Sequence, residues 1–203
     1  LYSEIDELNR EEIKNFSYEV FSISRQINTL LINLLDWSKL QLNNIKPNYI
    51  KINLFDFVNY TFDILKLSSD GKNIQLINNT EKNINIYVDE KMMYSILYNL
   101  VYNSIKFTPN GGSIIISIVK NYFINKNRIA ISVMDTGIGM TDENMSKLFV
   151  IDNQYTTLGT NNEKGSGLGL LIVKEFLEKM GGKIEVKSEK NMGTEFIFDV
   201  ELY

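Results

Sequence analysis

No cysteine and no histidine occur in this sequence, and proline appears only twice. Without cysteine there is neither a disulfide framework nor a thiolate metal site, which fits a reducing compartment. Lys and Arg number 21 against 25 Asp and Glu, for a net charge of −4, and the basic residues nowhere cluster. That excludes a basic face of the kind that grips a nucleic-acid backbone. No apolar run approaches the length of a membrane span, and none resembles a secretory leader. What is present is 44% apolar and 11% aromatic content, enough for one full domain and a smaller appendage. The chain begins at Leu1 rather than at a methionine, so we expect a piece of a longer protein.

The first 43 residues contain no Pro and no Gly, which predicts one long helix over residues 1–46. Ile13, Phe16, Val20, Ile23, Ile27, Leu30, Leu34 and Trp37 step alternately by three and four, a heptad seam that needs a partner. Leu31, Leu35 and Leu42 widen the stripe as in a bundle helix. A helix of roughly 40 residues runs about 60 Å, too long for one small domain to cover, so a homodimer through it is expected. Pro47 cannot continue the helix, and this sets a domain boundary between residues 46 and 47.

Beyond Pro47 the pattern is mixed. Tyr49 to Asn53 reads as a strand, and Asn53 caps a helix carrying Phe57, Val58, Phe62, Ile64 and Leu65. Ile74 to Asn79 and Ile84 to Val88 read as strands around the polar turn at residues 80–83, and Asp89 caps the next helix. Ser113 to Val119 and Arg128 to Met134 alternate as an antiparallel pair. Thr141 caps a short helix reaching Leu148 and Phe149, and residues 150–164 read as a polar lid. A helix from Leu168 to Met180 stops at Gly181-Gly182, and strands from Lys183 to Ser188 and Thr194 to Val200 finish the sheet.

Three stretches carry chemistry. Lys164-Gly165-Ser166-Gly167-Leu168-Gly169-Leu170 spaces three glycines at the opening of a helix, where bare backbone and unpaired N–H groups suit a phosphate. It is neither a Walker A loop, because Lys164 precedes Gly165, nor a dinucleotide fingerprint, because it lies late in the chain. Asn99, Asn103 and Lys106 fall at i, i+4 and i+7 on one side of their helix. Two amide oxygens there can ligate a hard cation, and the ammonium can meet a phosphate. Asp135-Thr136-Gly137-Ile138-Gly139-Met140 sets a carboxylate at a strand end beside backbone that a flat ligand can approach.

In order and spacing these stretches resemble the ATP-binding domain of sensor histidine kinases, part of the group that includes gyrase, Hsp90 and MutL. The resemblance covers residues 47–203. Asn99 to Pro109 is similar to that family's N box, Asp135 to Met140 to its G1 box, Gly165 to Leu170 to its G2 box and Phe149 to its F box, while Gly193-Thr194-Glu195-Phe196 resembles its last motif. Leu34-Leu35-Asp36-Trp37-Ser38-Lys39-Leu40 is similar to the end of the second dimerisation helix, which extends the likeness to nearly the whole chain. The fold implied is α+β: a two-layer α/β sandwich, with a mixed, mostly antiparallel sheet covered by helices on one face and preceded by the coiled-coil-like helix.

The resemblance implies roles. ATP and Mg²⁺ are the cofactors; Asn103, helped by Asn99, holds the metal against the triphosphate, and Lys106 contacts phosphate. Asp135 accepts from the adenine amino group, Phe107 and Ile138 flank the base, and Gly137, Gly139 and Thr194 complete that pocket. Lys164, Gly165, Ser166, Gly167, Leu168 and Gly169 line the phosphates. Gyrase-like relatives carry a water-activating glutamate where this chain has Asn99, which cannot serve as that base, so transfer is implied rather than hydrolysis. The implied acceptor is a histidine on the first dimerisation helix, and this chain contains neither that helix nor any histidine. A response regulator receiver domain is the implied partner, with the domain cytoplasmic and no membrane segment in this stretch. A nucleotide-gated adaptor would also keep Asp135 and the glycines, and an ATPase of the same fold would need an acid near Asn99.

Overall fold

The computed structural model describes residues 46–119, 127–150, 158–161, 163 and 167–203, with scattered positions among residues 9–38. Residues 1–43 and 44–203 are separate compact units. In the first, Asn9 opens a helix over residues 10–13 through a capping box. Its Oδ1 accepts from the Glu11 and Glu12 amides at 2.9 and 3.0 Å, and Glu12 Oε2 accepts from the Asn9 amide at 2.8 Å. Ile13, Phe16 and Val20 are exposed there. Of the rest of the expected long helix, Phe16, Ser17, Val20, Ser24, Leu31 and Ser38 are described, each helical, while most of its seam and the other residues of its end at Leu34 to Leu40 lie outside the described residues.

The second unit runs β1 (Tyr49–Asn53), α1 (Leu54–Asp70), β2 (Gln75–Asn79), β3 (Asn85–Asp89), α2 (Glu90–Phe107), β4 (Ser113–Val119), β5 (Arg128–Asp135), α3 (Asp142–Lys147), α4 (Gly169–Lys179), β6 (Ile184–Glu189) and β7 (Gly193–Leu202). The sheet order is β1-β3-β7-β5-β4-β2, with β6 also pairing β7. Among the described strands β2 and β4 pair in parallel, and the other pairs are antiparallel. The strands on either side of the residue 80–83 turn therefore do not pair with each other. From β3 the chain enters α2, and this crossover returns β4 alongside β2, as a parallel neighbour requires.

Alternation along the strands decides which residues meet the helices. Ile116, Val133 and Phe196 stand in one cross-strand row and are buried, whereas Met134, one position along, is exposed on the opposite face with Ile77. The covered face receives α1, α2 and α4, with α2 packed between the other two. Asn53 caps α1 by accepting from the Asp56 amide at 3.0 Å, and Asp89 caps α2 by accepting from the Lys91 and Met92 amides. Met93, Ile96, Leu97, Leu100 and Val101 of α2 are fully buried, each contributing about 1.5–3 kcal/mol through removal from water. The same alternation carries Asp135 onto the covered face, in register with Ile114 on one side and Thr194 on the other.

Candidate functional site

Asp135 ends β5 in the row just beyond the apolar ones, so its carboxylate is pressed into the layer between sheet and α2. Ser104 Oγ of α2 donates to its Oδ2 at 2.9 Å. The Gly137 and Thr194 amides donate to Oδ1 at 2.9 and 3.2 Å. Burial pushes the Asp135 carboxyl above the usual range, and these three hydrogen bonds pull against that rise. A carboxylate kept where its charge is disfavoured, and held by α2, β7 and its own following loop, is suited to accept from a ligand N–H through the remaining lone pair on Oδ2.

The loop after Asp135 fits closely. A Cβ on Gly137 would lie 2.6 Å from Asp135 Oδ1 and 2.7 Å from the Phe107 carbonyl oxygen. Gly139 has φ +60, and a Cβ there would collide with the Glu189 carbonyl oxygen. The Ile138 amide donates to the Phe107 carbonyl at 3.1 Å, and the Ile138 carbonyl accepts from the Asn191 amide at 2.7 Å. Ile138 and Phe107 are thereby fixed side by side, Ile138 41% exposed and Phe107 half-buried, beside the Asp135 carboxylate. Ser188 Oγ accepts from the Met140 amide at 2.9 Å and sits 3.0 Å from Thr194 Oγ1, tying this loop to β6 and β7.

On α2, Asn99 is buried and Asn103 half-buried one turn further on. The Asn99 amide nitrogen donates to the Ser95 carbonyl at 2.8 Å and approaches Ser95 Oγ at 3.3 Å. Its oxygen is thereby turned towards the start of α4, where a Cβ on Gly169 would lie 2.7 Å from Asn99 Oδ1. Gly167, with φ +72, and Leu168, which caps α4 without a side-chain hydrogen bond, lead into it, so the first turn of α4 starts beside the Asn99 amide oxygen. Lys106 is buried, with Nζ 4.6 Å from the Phe107 ring centre. Burial lowers its pKa, and Lys72 lowers it too, while Glu163 raises it.

The structure sets Asp135, Gly137, Ile138 and Thr194 against Ser104 and Phe107 near the end of α2, with Gly139 against Gly193 and Gly169 against Asn99; Asn103 and Lys106 lie on the same helix, and Gly167 and Leu168 precede Gly169 in the chain. Lys164, Gly165 and Ser166 lie outside the described residues. Sequence reasoning missed the residues that aim the site: Ser95, Ser104, Ser188 and Lys72. The signal for two of them was legible, since Ser95 and Ser104 interrupt the apolar stripe of α2 at buried positions.

Among the described residues no cluster of three or more His, Cys, Asp or Glu exists that could hold a cation by itself. Asn99 and Asn103 offer neutral amide oxygens, a ligand type that a hard cation accepts.

Known proteins resemble this chain in sequence and in fold. Residues 88–203 match the family described as Histidine kinase-, DNA gyrase B-, and HSP90-like ATPase. The chain is 33% identical over 187 residues to the signal transduction histidine-protein kinase BarA of Escherichia coli, an alignment covering 89% of this chain and 20% of that protein. It is 28% identical over 195 residues to the autoinducer 2 sensor kinase/phosphatase LuxQ of Vibrio parahaemolyticus, covering 95% of this chain and 23% of that protein. Among solved structures, the catalytic domain of the histidine kinase ThkA superposes with a TM-score of 0.63 at 26% identity, covering 76% of this chain and 95% of that one. The chain spans about a fifth to a quarter of the curated relatives it matches, and with more than half of its length matched it belongs to the histidine kinase-, gyrase B- and Hsp90-like ATPase family.

Proposed function

We propose that this chain is the nucleotide-binding catalytic part of a sensor histidine kinase that transfers the γ-phosphoryl group of Mg-ATP to a histidine lying outside residues 1–203. The observation that carries the reading is the Asp135 carboxylate, buried at the cost of a raised pKa and braced by Ser104, Gly137 and Thr194. Buried, hydrogen-bonded carboxylates of this kind cluster at functional sites. Here Asp135 accepts the exocyclic N–H of adenine, and Phe107 and Ile138 lie against the two faces of the base. Lys106, Gly165, Gly167, Gly169 and the first-turn amides of α4 receive the phosphates, with Lys164, Ser166 and Leu168 beside them. Asn103 and Asn99 hold Mg²⁺, which when bound neutralises charge on the phosphate oxygens.

The chemistry left to the protein is alignment and charge neutralisation, since phosphoryl transfer asks for little covalent help. Asn99 offers an amide with no basicity, which favours a histidine acceptor over water. The exposed Ile13, Phe16 and Val20 support a homodimer through the amino-terminal helix. Among the described residues no helix is long and apolar enough to cross a membrane. We place the domain in the cytoplasm, where a response regulator receiver domain takes the phosphoryl group on an aspartate. Titration calorimetry with ADP and Mg²⁺ tests the binding half, and absence of heat at millimolar nucleotide would reject it.

A further inference from the structure

The turn between β6 and β7 is built against the loop that follows Asp135. Residues 189–193 close it: the Met192 amide donates to the Glu189 carbonyl at 3.0 Å, and Asn191 stands at φ +65. Neither side of the contact has room for a side chain. A Cβ on Gly139 would strike the Glu189 carbonyl oxygen, and one on Gly193 would strike the carbonyl oxygen of Asp135. Two backbones therefore lie directly on each other, and the Asn191 amide crosses between them to the Ile138 carbonyl at 2.7 Å.

Ser188 locks the same junction from β6. Its hydroxyl has one proton and two lone pairs. The proton goes to the Gly193 carbonyl at 2.8 Å, and one lone pair accepts from the Met140 amide at 2.9 Å. Thr194 Oγ1, at 3.0 Å, then donates to the other. All three hydrogen-bonding positions of this half-buried hydroxyl are used, and they span both sides of the junction. Between Asn191, which holds the Ile138 carbonyl, and Ser188, which holds the amide of Met140, the loop has little freedom to slide. The Ile138 side chain remains 41% exposed, so its place is set by backbone contacts rather than by burial.

We infer that Ser188 and the backbone of Asn191 are positioning elements for the adenine base: from the β6–β7 turn they hold Ile138 at a fixed spacing from Phe107 and so set the width of the slot that the base enters. Both act through Ile138 and not on the ligand. This inference rests on the nucleotide reading above. It predicts that loosening the turn weakens nucleotide only while the Ile138 side chain is there to be placed.

The test is calorimetric titration of the 203-residue chain and its variants with Mg-ADP. Ser188→Ala removes the Met140 anchor and should weaken Mg-ADP roughly 3- to 10-fold, the scale of one lost neutral hydrogen bond. In an Ile138→Ala background the same substitution should cost less than about 2-fold, because the side chain it places is gone. Asn191→Val forces a β-branched residue to φ +65 and should show the same dependence on Ile138, whereas Asn191→Gly takes that φ without strain and should bind as the wild type does. Losses of equal size with and without Ile138 would reduce both residues to structural supports and overturn the inference, as would an unchanged Mg-ADP affinity in Ser188→Ala. If Ser188→Ala does not fold, the Asn191 variants decide. Weakening in Asn191→Val that disappears in the Ile138→Ala background supports the inference, and equal affinity of Asn191→Val and Asn191→Gly contradicts it. A wild-type chain that binds no Mg-ADP would instead reject the nucleotide site itself.

Discussion

Replacing Asp135 by Asn separates ligand binding from folding at a single atom pair. The amide keeps an acceptor oxygen for the Gly137 and Thr194 amides, and its nitrogen can donate to Ser104 Oγ, so the internal bonds of the carboxylate survive in number. What disappears is the charged acceptor presented to a ligand N–H, about 1.5–3 kcal/mol or roughly 10- to 150-fold in Kd. Stability should move the other way. Burial raises the Asp135 pKa in the fold, so the native state holds its proton to higher pH than the unfolded chain does. The wild-type chain accordingly loses stability as pH rises from the ordinary carboxylate range through that raised value, and the Asn variant does not. Chemical denaturation without nucleotide, from acid to neutral pH, should show the variant gaining on the wild type as pH rises, while calorimetry shows its ADP affinity reduced. An unchanged Kd would remove Asp135 from the site. A variant that lost stability on the wild type with rising pH would refute the argument from burial.

Three further substitutions probe other parts of the account. Asn103→Ala should abolish the Mg²⁺ dependence of ATP binding and leave the Tm without nucleotide nearly unchanged, since a half-buried amide leaves no large cavity; a large Tm drop would make Asn103 structural. Gly137→Ala forces a methyl against Asp135 Oδ1 and the Phe107 carbonyl. It should cost about 1–3 kcal/mol in denaturant titrations and weaken ADP as the loop shifts, whereas wild-type stability would show that the loop accommodates it. Ile27→Asp places a charge on the heptad seam and should weaken self-association in sedimentation velocity; a wild-type chain that is monomeric at high micromolar concentration would count against the homodimer.

Much of the fold was legible because its rules are local. Asn53, Asp89 and Thr141 cap the helices that their positions announce, and the alternation of β4 and β5 foretold their antiparallel pairing. The separation of β2 from β3 was not legible, because a short polar turn reads alike whether its flanking strands pair or part, and only the packing of α2 decides. The spacing of Asn99, Asn103 and Lys106 put them on one side of α2, and the pleat of β5 could have put Asp135 on the covered face. The supports of the site were hidden for a different reason. Lys72 lies 34 residues before Lys106 in an ordinary-looking turn, and nothing in its neighbours shows that its ammonium reaches a helix end. Glu163 and Thr160 reach the same place from the opposite direction in sequence. Long-range polar contacts made by single side chains leave no periodic trace.

The most direct measurement of the central claim supplies the chain with γ-labelled ATP, Mg²⁺ and a separate helix carrying an acceptor histidine. The account predicts acid-labile, base-stable label on that histidine and none on the chain itself, lost in Asn99→Ala, Asn103→Ala and Lys106→Ala. Nucleotide bound with no phosphohistidine formed would contradict the kinase reading and leave a nucleotide-binding adaptor in its place.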